Sequence, residues 1–360
     1  MTLNPILSGS FTPKRILVIK LRHHGDMLLI TPVISALKQH YADATIDVLL
    51  YEETRDMLAA NPEIHRIFAI DRRWKQQGTR HQLGMEWALM RDLRRQHYDL
   101  VLNLADQWRS AIITAFTRAP VRIGFDFPKR RHPLWRLCHT VLALTDSHAT
   151  QHTVEQNLEI LQPLGLSLPP GQGSVTMSYA REDWDACRAL LGEDTGEGYV
   201  VIQPTSRWFF KCWREARMSE VINALSAAGR RIVITSGPDA RELQMVEDIL
   251  AGCPQANVTS LAGKLTLRQL AALIDHAALF IGVDSVPMHM AAALETPLIA
   301  LFGPSKLTFW RPWQAKGEVI WAGDFGSLPD PDDINTNTDE RYLDLIPTEA
   351  VIAAAKRILP

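Results

Sequence analysis

The chain has 360 residues, a formal net charge of −2, 46% hydrophobic and 22% charged residues. At roughly 150 residues per domain that length suggests two domains, with enough chain to bury a sizeable core. The composition is that of an ordinary globular protein, and the charge balance gives no footing for a nucleic-acid surface. The opening MTLNPILSGSFTPKR lacks the long apolar segment of a signal peptide, and no apolar run approaches the ~20 residues that cross a bilayer. Cys138, Cys187, Cys212 and Cys253 are scattered with no CxxC pair, which suits reduced thiols in a cytoplasmic protein better than a disulfide frame or a zinc site.

The first element, KRILVIKL (Lys14 to Leu21), reads as a buried strand. It runs through Arg22-His23-His24-Gly25-Asp26 into a helix expected from Met27 to about Tyr41. Gly25 permits a tight strand-to-helix turn, and Pro32 falls close to the helix start. Asp26 therefore sits at the carboxyl edge of the first strand. An acidic residue there is either a partner for the helix dipole or a working group. Strands and helices then alternate. Strands are expected over 44–51, 64–71, 98–105 and 121–127, with helices over 54–60, 84–97 and 110–118. Such alternation predicts an α/β fold with parallel sheets.

Two basic clusters follow strands in this half. Arg72, Arg73 and Lys75 form one; Lys129, Arg130 and Arg131, near His132, Trp135 and Arg136, form the other. A short charge run is by default a solvated loop. Two of them at strand ends also suit an anionic acceptor or an anionic membrane surface. Residues 161–174, LQPLGLSLPPGQGS, lose periodicity and gain Pro and Gly, which marks a linker. The domain boundary is placed near residue 180, giving domains over 1–180 and 181–325. Residues 326–360 form a tail and helix free to pack back on the N-terminal domain.

The second half restarts the pattern. YVVIQP (199–204) is a strand, followed by Thr205-Ser206 and the segment RWFFKCW that carries Lys211. A helix over 215–228, a strand over 230–237, a helix carrying Arg241 and Glu242, and a helix over 265–277 come next. ALFIGVDSVPMHMAAALETPLIALFGPS (278–305) then reads as strand, helix, strand. In parallel folds ligands bind at the carboxyl ends of strands, near helix N-termini. Thr205, Ser206, Lys211, Gly237, Asp284, Ser285 and His289 all fall on that rim. A helix N-terminus favours phosphate, Lys211 can neutralise a diphosphate, and a carboxylate suits sugar hydroxyls. That combination predicts a ligand with both parts, such as a nucleotide sugar. Asp284-Ser285 is equally an ordinary helix cap, and His289 an ordinary helix residue. Asp330-Pro331-Asp332-Asp333 superficially resembles a metal-binding motif, but its surroundings favour a solvated turn.

Two stretches, KRILVIKLRHHGDMLLITPVISALKQHYADATIDVLL and FIGVDSVPMHMAAALETPLIALFGPS, with Lys211-Cys212-Trp213 between them, resemble the ADP-heptose:lipopolysaccharide heptosyltransferases of glycosyltransferase family 9. The resemblance extends over nearly the whole chain and is strongest to the members that add the branch heptose to heptose II. It implies a GT-B fold, two Rossmann-like domains facing a central cleft that closes over the donor. The N-terminal domain would take the acceptor and the C-terminal domain ADP-heptose. It further implies an inverting, metal-independent transfer to the lipopolysaccharide inner core, with no cofactor, at the cytoplasmic face of the inner membrane. Asp26 matches the proposed general base. Lys211 matches the donor-phosphate lysine, Thr205 and Ser206 the hydroxyl pair near the diphosphate, and Glu242 the acidic residue near the ribose. Asp284, Ser285 and His289 match the donor triplet. His24, Arg72, Arg73, Lys75, Arg130 and Arg131 are the acceptor-side candidates. Val286 stands where the family usually has Gly, and His23-His24 where smaller residues are usual. A nucleotide-sugar epimerase of the same fold, and a non-catalytic nucleotide-sugar binding protein, are the competing readings.

Overall fold

A computed structural model describes residues 11–192 and 198–359. The chain divides into two compact units, residues 1–176 and 177–360. The first contains strands β1 (Arg15–Ile19), β2 (Thr45–Tyr51), β3 (Arg66–Ile70), β4 (Leu100–Asn103), β5 (Val121–Phe125) and β6 (Val141–Ala143). Helices α1 (His24–Leu28), α2 (Thr31–His40), α3 (Thr79–Arg95), α4 (Trp108–Thr117), α5 (Pro133–Cys138) and α6 (Thr153–Leu158) connect or cover them. The sheet is parallel throughout, in the order β3-β2-β1-β4-β5-β6.

The second unit repeats the plan. It opens with α7 (Arg181–Leu191) and β7 (Val200–Gln203), then α8 (Glu215–Ala227), β8 (Ile232–Ile234), α9 (Ala240–Ala251), β9 (Val258–Ser260) and α10 (Leu267–Asp275). It continues through β10 (Leu279–Val283), α11 (Val286–Ala293), β11 (Leu298–Phe302), α12 (Leu307–Trp310), β12 (Gly317–Trp321) and α13 (Thr348–Ile358). Its parallel sheet has the order β12-β11-β10-β7-β8-β9. Both orders are doubly wound, reversing direction between the unit's first and fourth strands. The crevice at such a reversal is the usual ligand site.

Central strands such as ILVI, VLLY, LFIGV and LIALF are apolar along their whole length because helices cover both faces of the sheet. Leu17, Ile19, Leu49, Ile70, Val101 and Ile113 anchor the core of the first unit. Ile202, Trp213, Val221, Ile281, Ile299 and Val351 anchor that of the second. The last of these comes from α13, which packs on α8 and on β11 and β12.

Two local expectations are corrected. The helix expected from Met27 to Tyr41 is two helices, α1 and α2. Pro32 cannot donate to the carbonyl of Leu28 four residues back, and the Thr31 hydroxyl donates to that carbonyl instead, at 2.7 Å. Gly25 does not serve a special turn, since it lies inside α1 and its φ is not positive.

One buried histidine ties the far half of the first sheet together. His139 Nε2 accepts from the Asn103 side-chain amide at 3.1 Å, and Nδ1–H donates to the Trp135 carbonyl at 2.8 Å. A ring that accepts at one nitrogen must be neutral, and burial depresses its pKa from 6.5 to about 4. Between those values the unfolded chain binds the proton and the folded chain does not. Stability is therefore expected to be fully present above pH 6.5 and to fall as pH drops towards 4, by up to about 3 kcal/mol. Urea titrations of wild type and His139→Gln across that window check it, since the variant should lose most of that slope.

Candidate active site

At the carboxyl end of β1 the chain passes Lys20, turns at Arg22 and His23, and enters α1, whose first turn carries Asp26. Asp26 is buried at the strand-order reversal between β1 and β4. The turn that carries it is braced from below. Lys20 Nζ donates to Asn157 Oδ1 at 2.9 Å, and the same asparagine donates through Nδ2 to the Leu29 carbonyl at the end of α1, also at 2.9 Å. One side chain of α6 thus ties the end of β1 to the far end of α1, on either side of Asp26. Burial lowers the Lys20 pKa, and the charges of Asp26 and Asp106 oppose that shift.

His24, also in α1, bonds through Nε2 to the Glu53 carbonyl at 2.8 Å, and its pKa is lowered mainly by burial. Arg72 reaches the Glu53 carboxylate at 3.2 Å and lies 4.0 Å from the centre of the Tyr51 ring. His24 and Arg72 therefore converge on the segment after β2. Arg73 instead pairs with Asp71 at 2.8 Å, and Lys75 is exposed.

The second basic cluster gathers on Asp106, just past β4. Arg22 approaches that carboxylate at 3.1 Å, Lys129 also pairs with it, and Arg130 Nε donates to the Asp106 carbonyl at 2.5 Å. Burial alone would raise the Asp106 pKa, but the Lys129 hydrogen bond and the Arg22 and Lys129 charges outweigh it and leave it lowered. Arg131 lies 3.9 Å from Asp126. Trp135 is not a surface residue of this cluster. It is fully buried, its indole N–H donating to the Phe125 carbonyl at 3.0 Å.

The second unit gathers its groups at the reversal between β7 and β10. Past β7, Thr205 Oγ1 accepts from Gln203 Nε2 at 2.8 Å and donates to Glu242 Oε2 at 2.5 Å. The same carboxylate oxygen accepts the Gly237 N–H at 3.0 Å, tying the ends of β7 and β8 to α9. A side chain at position 237 would meet that carboxylate at 3.0 Å, so glycine leaves Glu242 room. Ser206 N–H donates to Cys212 Sγ at 3.2 Å, and burial pushes the Cys212 thiol up to about 12, which keeps it neutral and structural.

Lys211 reaches across to β10. Its ammonium lies 2.6 Å from Asp284 Oδ2, with both side chains nearly buried, and faces Trp208 at 5.0 Å and Phe210 at 6.0 Å from the ring centres. Asp284 is thus committed to Lys211. Ser285 is the N-cap of α11 by position, but its side chain makes no cap bond and its hydroxyl donates to the Val283 carbonyl at 3.2 Å. Capping does not account for this pair. His289 is buried in the first turn of the same helix, beyond Val286 and Pro287. The helix start, the Lys211 ammonium and the Thr205 and Ser206 hydroxyls form a set suited to a phosphorylated ligand.

Asp330-Pro331-Asp332-Asp333 forms a short turn in which the Asp330 carboxylate accepts the Asp332 N–H at 2.9 Å and Asp332 pairs with Lys306 at 2.5 Å. Among the described residues no group of three or more His, Cys, Asp or Glu side chains is placed to hold a metal ion. Sequence reasoning missed Lys20, Arg22, Asp106 and Asn157. Lys20 had a signal, a charged residue between Ile19 and Leu21 in a buried run. Asp106 had one too, an acid just past β4 as Asp26 is past β1. Asn157 had none.

Two doubly wound units, each with polar groups gathered at its own reversal of strand order, are the plan of GT-B nucleotide-sugar enzymes. The model of Glycosyltransferase family 9 (heptosyltransferase) matches residues 86–339. The chain is 46% identical over 341 residues to lipopolysaccharide heptosyltransferase 3 of Escherichia coli, covering 94% of this chain and 98% of that one. Among solved structures, a family 9 glycosyltransferase from Veillonella parvula superposes with TM-score 0.83 at 24% identity, covering 96% of this chain and 97% of that chain. The E. coli heptosyltransferase WaaC with ADP superposes with TM-score 0.74 at 23% identity, covering 96% and 99%. The chain belongs to glycosyltransferase family 9, and it is a glycosyltransferase.

Proposed function

We propose that this enzyme transfers L-glycero-D-manno-heptose from ADP-heptose to a heptose of the lipopolysaccharide inner core, adding heptose III to heptose II. The observation that supports this most is the 46% identity over almost the full length of both chains to lipopolysaccharide heptosyltransferase 3. The first unit supplies the acceptor side and the base; the second holds the donor. Asp26 takes the proton of an acceptor hydroxyl while its oxygen bonds to the anomeric carbon. The bond from that carbon to the diphosphate oxygen breaks, and ADP leaves with the electron pair. A single displacement of this kind inverts the anomeric centre. Lys211 and the start of α11 neutralise the departing diphosphate, with Thr205, Ser206, Ser285 and His289 around it and Glu242 on the ribose side. Those fixed positive groups do the work that a divalent cation does elsewhere. His24, Arg72, Arg73, Lys75, Arg130 and Arg131 are assigned to the acceptor side, where a phosphorylated core oligosaccharide offers anionic partners.

No described helix is long and apolar enough to cross a membrane, and in this reading the enzyme works at the cytoplasmic face of the inner membrane. The test is release of ADP from ADP-heptose with and without an inner-core acceptor that lacks the branch heptose, followed by the anomeric configuration of the product. Acceptor-dependent release that persists in a chelator is expected. Conversion of the nucleotide sugar without acceptor would favour an epimerase, and binding without turnover a non-catalytic protein.

A further inference from the structure

Three neighbouring helices of the first unit each turn a pair of large apolar side chains outward. On α3 these are Leu83 and Trp87, 62% and 56% exposed. On α4 they include Ile112, 55% exposed, one turn beyond the partly exposed Trp108. On α5 they are Leu134 and Leu137, 58% and 72% exposed. Within each helix the pair is three or four residues apart, so both members lie on one face. The helices are packed side by side, α3 on α4 and α4 on α5. Trp87 meets Phe116 of α4 edge-on at 5.4 Å, Arg109 of α4 pairs with Glu86 of α3 at 2.7 Å, and Trp108 meets the buried Trp135 of α5 at 5.7 Å.

The core already has its share of these helices. Leu89, Met90 and Leu93 of α3 and Ile113 of α4 pack on the sheet. Leu83, Trp87, Ile112, Leu134 and Leu137 still leave more than half of their surface uncovered, and exposed apolar groups in such number on adjacent elements mark an interaction surface. Its charge says with what. Arg80 and Arg94 share the face of Leu83 and Trp87 by helical spacing, while Arg91 at its edge pairs with Asp92 at 4.0 Å. Arg136, between Leu134 and Leu137 in sequence, is exposed as well, while Lys129 just before them is held by Asp106. The acidic Glu86 is paired with Arg109. Tryptophan and leucine side chains with a basic surround fit the headgroup region of an anionic bilayer. A symmetric contact with a second copy would set the same arginines against each other.

We propose that the outer face of α3, α4 and α5 docks this enzyme on an anionic lipid bilayer, with Leu83, Trp87, Trp108, Ile112, Leu134 and Leu137 entering the interface and the surrounding arginines lying against the headgroups. This names the surface for the membrane-borne acceptor of the reading above and rests on it for its purpose. Binding itself is measured without donor or acceptor. Full-length protein is floated with vesicles of phosphatidylglycerol and phosphatidylethanolamine, and with vesicles of phosphatidylcholine alone. Wild type is expected on the anionic vesicles only, more weakly as salt rises. Leu134→Asp/Leu137→Asp, and separately Leu83→Asp on the other flank, should each weaken partitioning at least tenfold. Both variants should keep wild-type turnover on a lipid-free core oligosaccharide, which also shows that they fold. Vesicle binding unchanged in both variants, no binding of wild type at low salt, or a dimer that the variants dissociate would each overturn the proposal. Loss of heptosyl transfer in wild type would bear on the reaction and leave the docking result standing.

Discussion

Lys211→Met is expected to lower kcat/KM for ADP-heptose by about 10²–10³, the usual cost of removing one fixed charge from a developing anion. It should also destabilise the protein. Lys211 and Asp284 are nearly buried and 2.6 Å apart, so removing the ammonium strands a carboxylate at the start of α11. Breaking such a pair from one side costs about 3–5 kcal/mol, which in a unit of this size is a fall in Tm on the order of 10 °C. The two losses are separable. Lys211→Met/Asp284→Asn removes both charges and should recover most of the lost Tm while activity stays low. Scanning calorimetry and ADP release on the two variants give both readouts. Recovery of activity together with Tm would mean that Lys211 serves only to neutralise Asp284, and that the diphosphate is held by other groups.

That ion pair also shows where sequence reading stops. The sequence places Lys211 and Asp284 on the rim of the second sheet because each follows a strand, and the strands are legible as short, wholly apolar runs. That they bind each other was not legible, because 73 residues separate them and the reach depends on how the Trp208–Phe210 turn presents the lysine. The same distinction runs through the fold. β10, α11 and β11 are buried on all sides and announce themselves by composition. The edge strands β6, β9 and β12 were missed, being three to five residues long and only partly buried. The break between α1 and α2 had its cause in plain view at Pro32, but Pro is also common at helix starts, and only the Thr31 hydroxyl bond to Leu28 shows that the chain stops and restarts there. Among the basic residues, sequence found the clusters and not their sorting. Arg130 and Lys129 converge with Arg22 on Asp106, Arg73 turns to its neighbour Asp71, and Trp135, in the sequence of the second cluster, is core, while its neighbours Leu134 and Leu137 are the exposed ones.

Asp26→Asn is expected to reduce turnover by about 10²–10⁴, the range for loss of a general base, while ADP-heptose binding stays within a few-fold of wild type. Asparagine keeps the shape and the burial of the side chain and removes its capacity to take a proton, so the ratio of the two effects identifies the role. Titration calorimetry of the donor against wild type and variant supplies one arm, and acceptor-dependent ADP release the other. The brace beneath Asp26 makes a second, smaller expectation that no contact with substrate could produce. Asn157 joins Lys20 to the Leu29 carbonyl and so holds both ends of the segment, turn and α1 together, that aims the carboxylate. Asn157→Ala should leave the proton acceptor in place but loosen its aim. Since displacement of a reacting group by about 1 Å can cost 10²-fold, a fall in kcat of about ten- to a hundredfold with unchanged donor affinity is the expected result. Equal losses in donor binding and turnover for Asp26→Asn would remove it from the base role and move it to the donor side, and Asn157→Ala would then be expected to weaken donor binding as well.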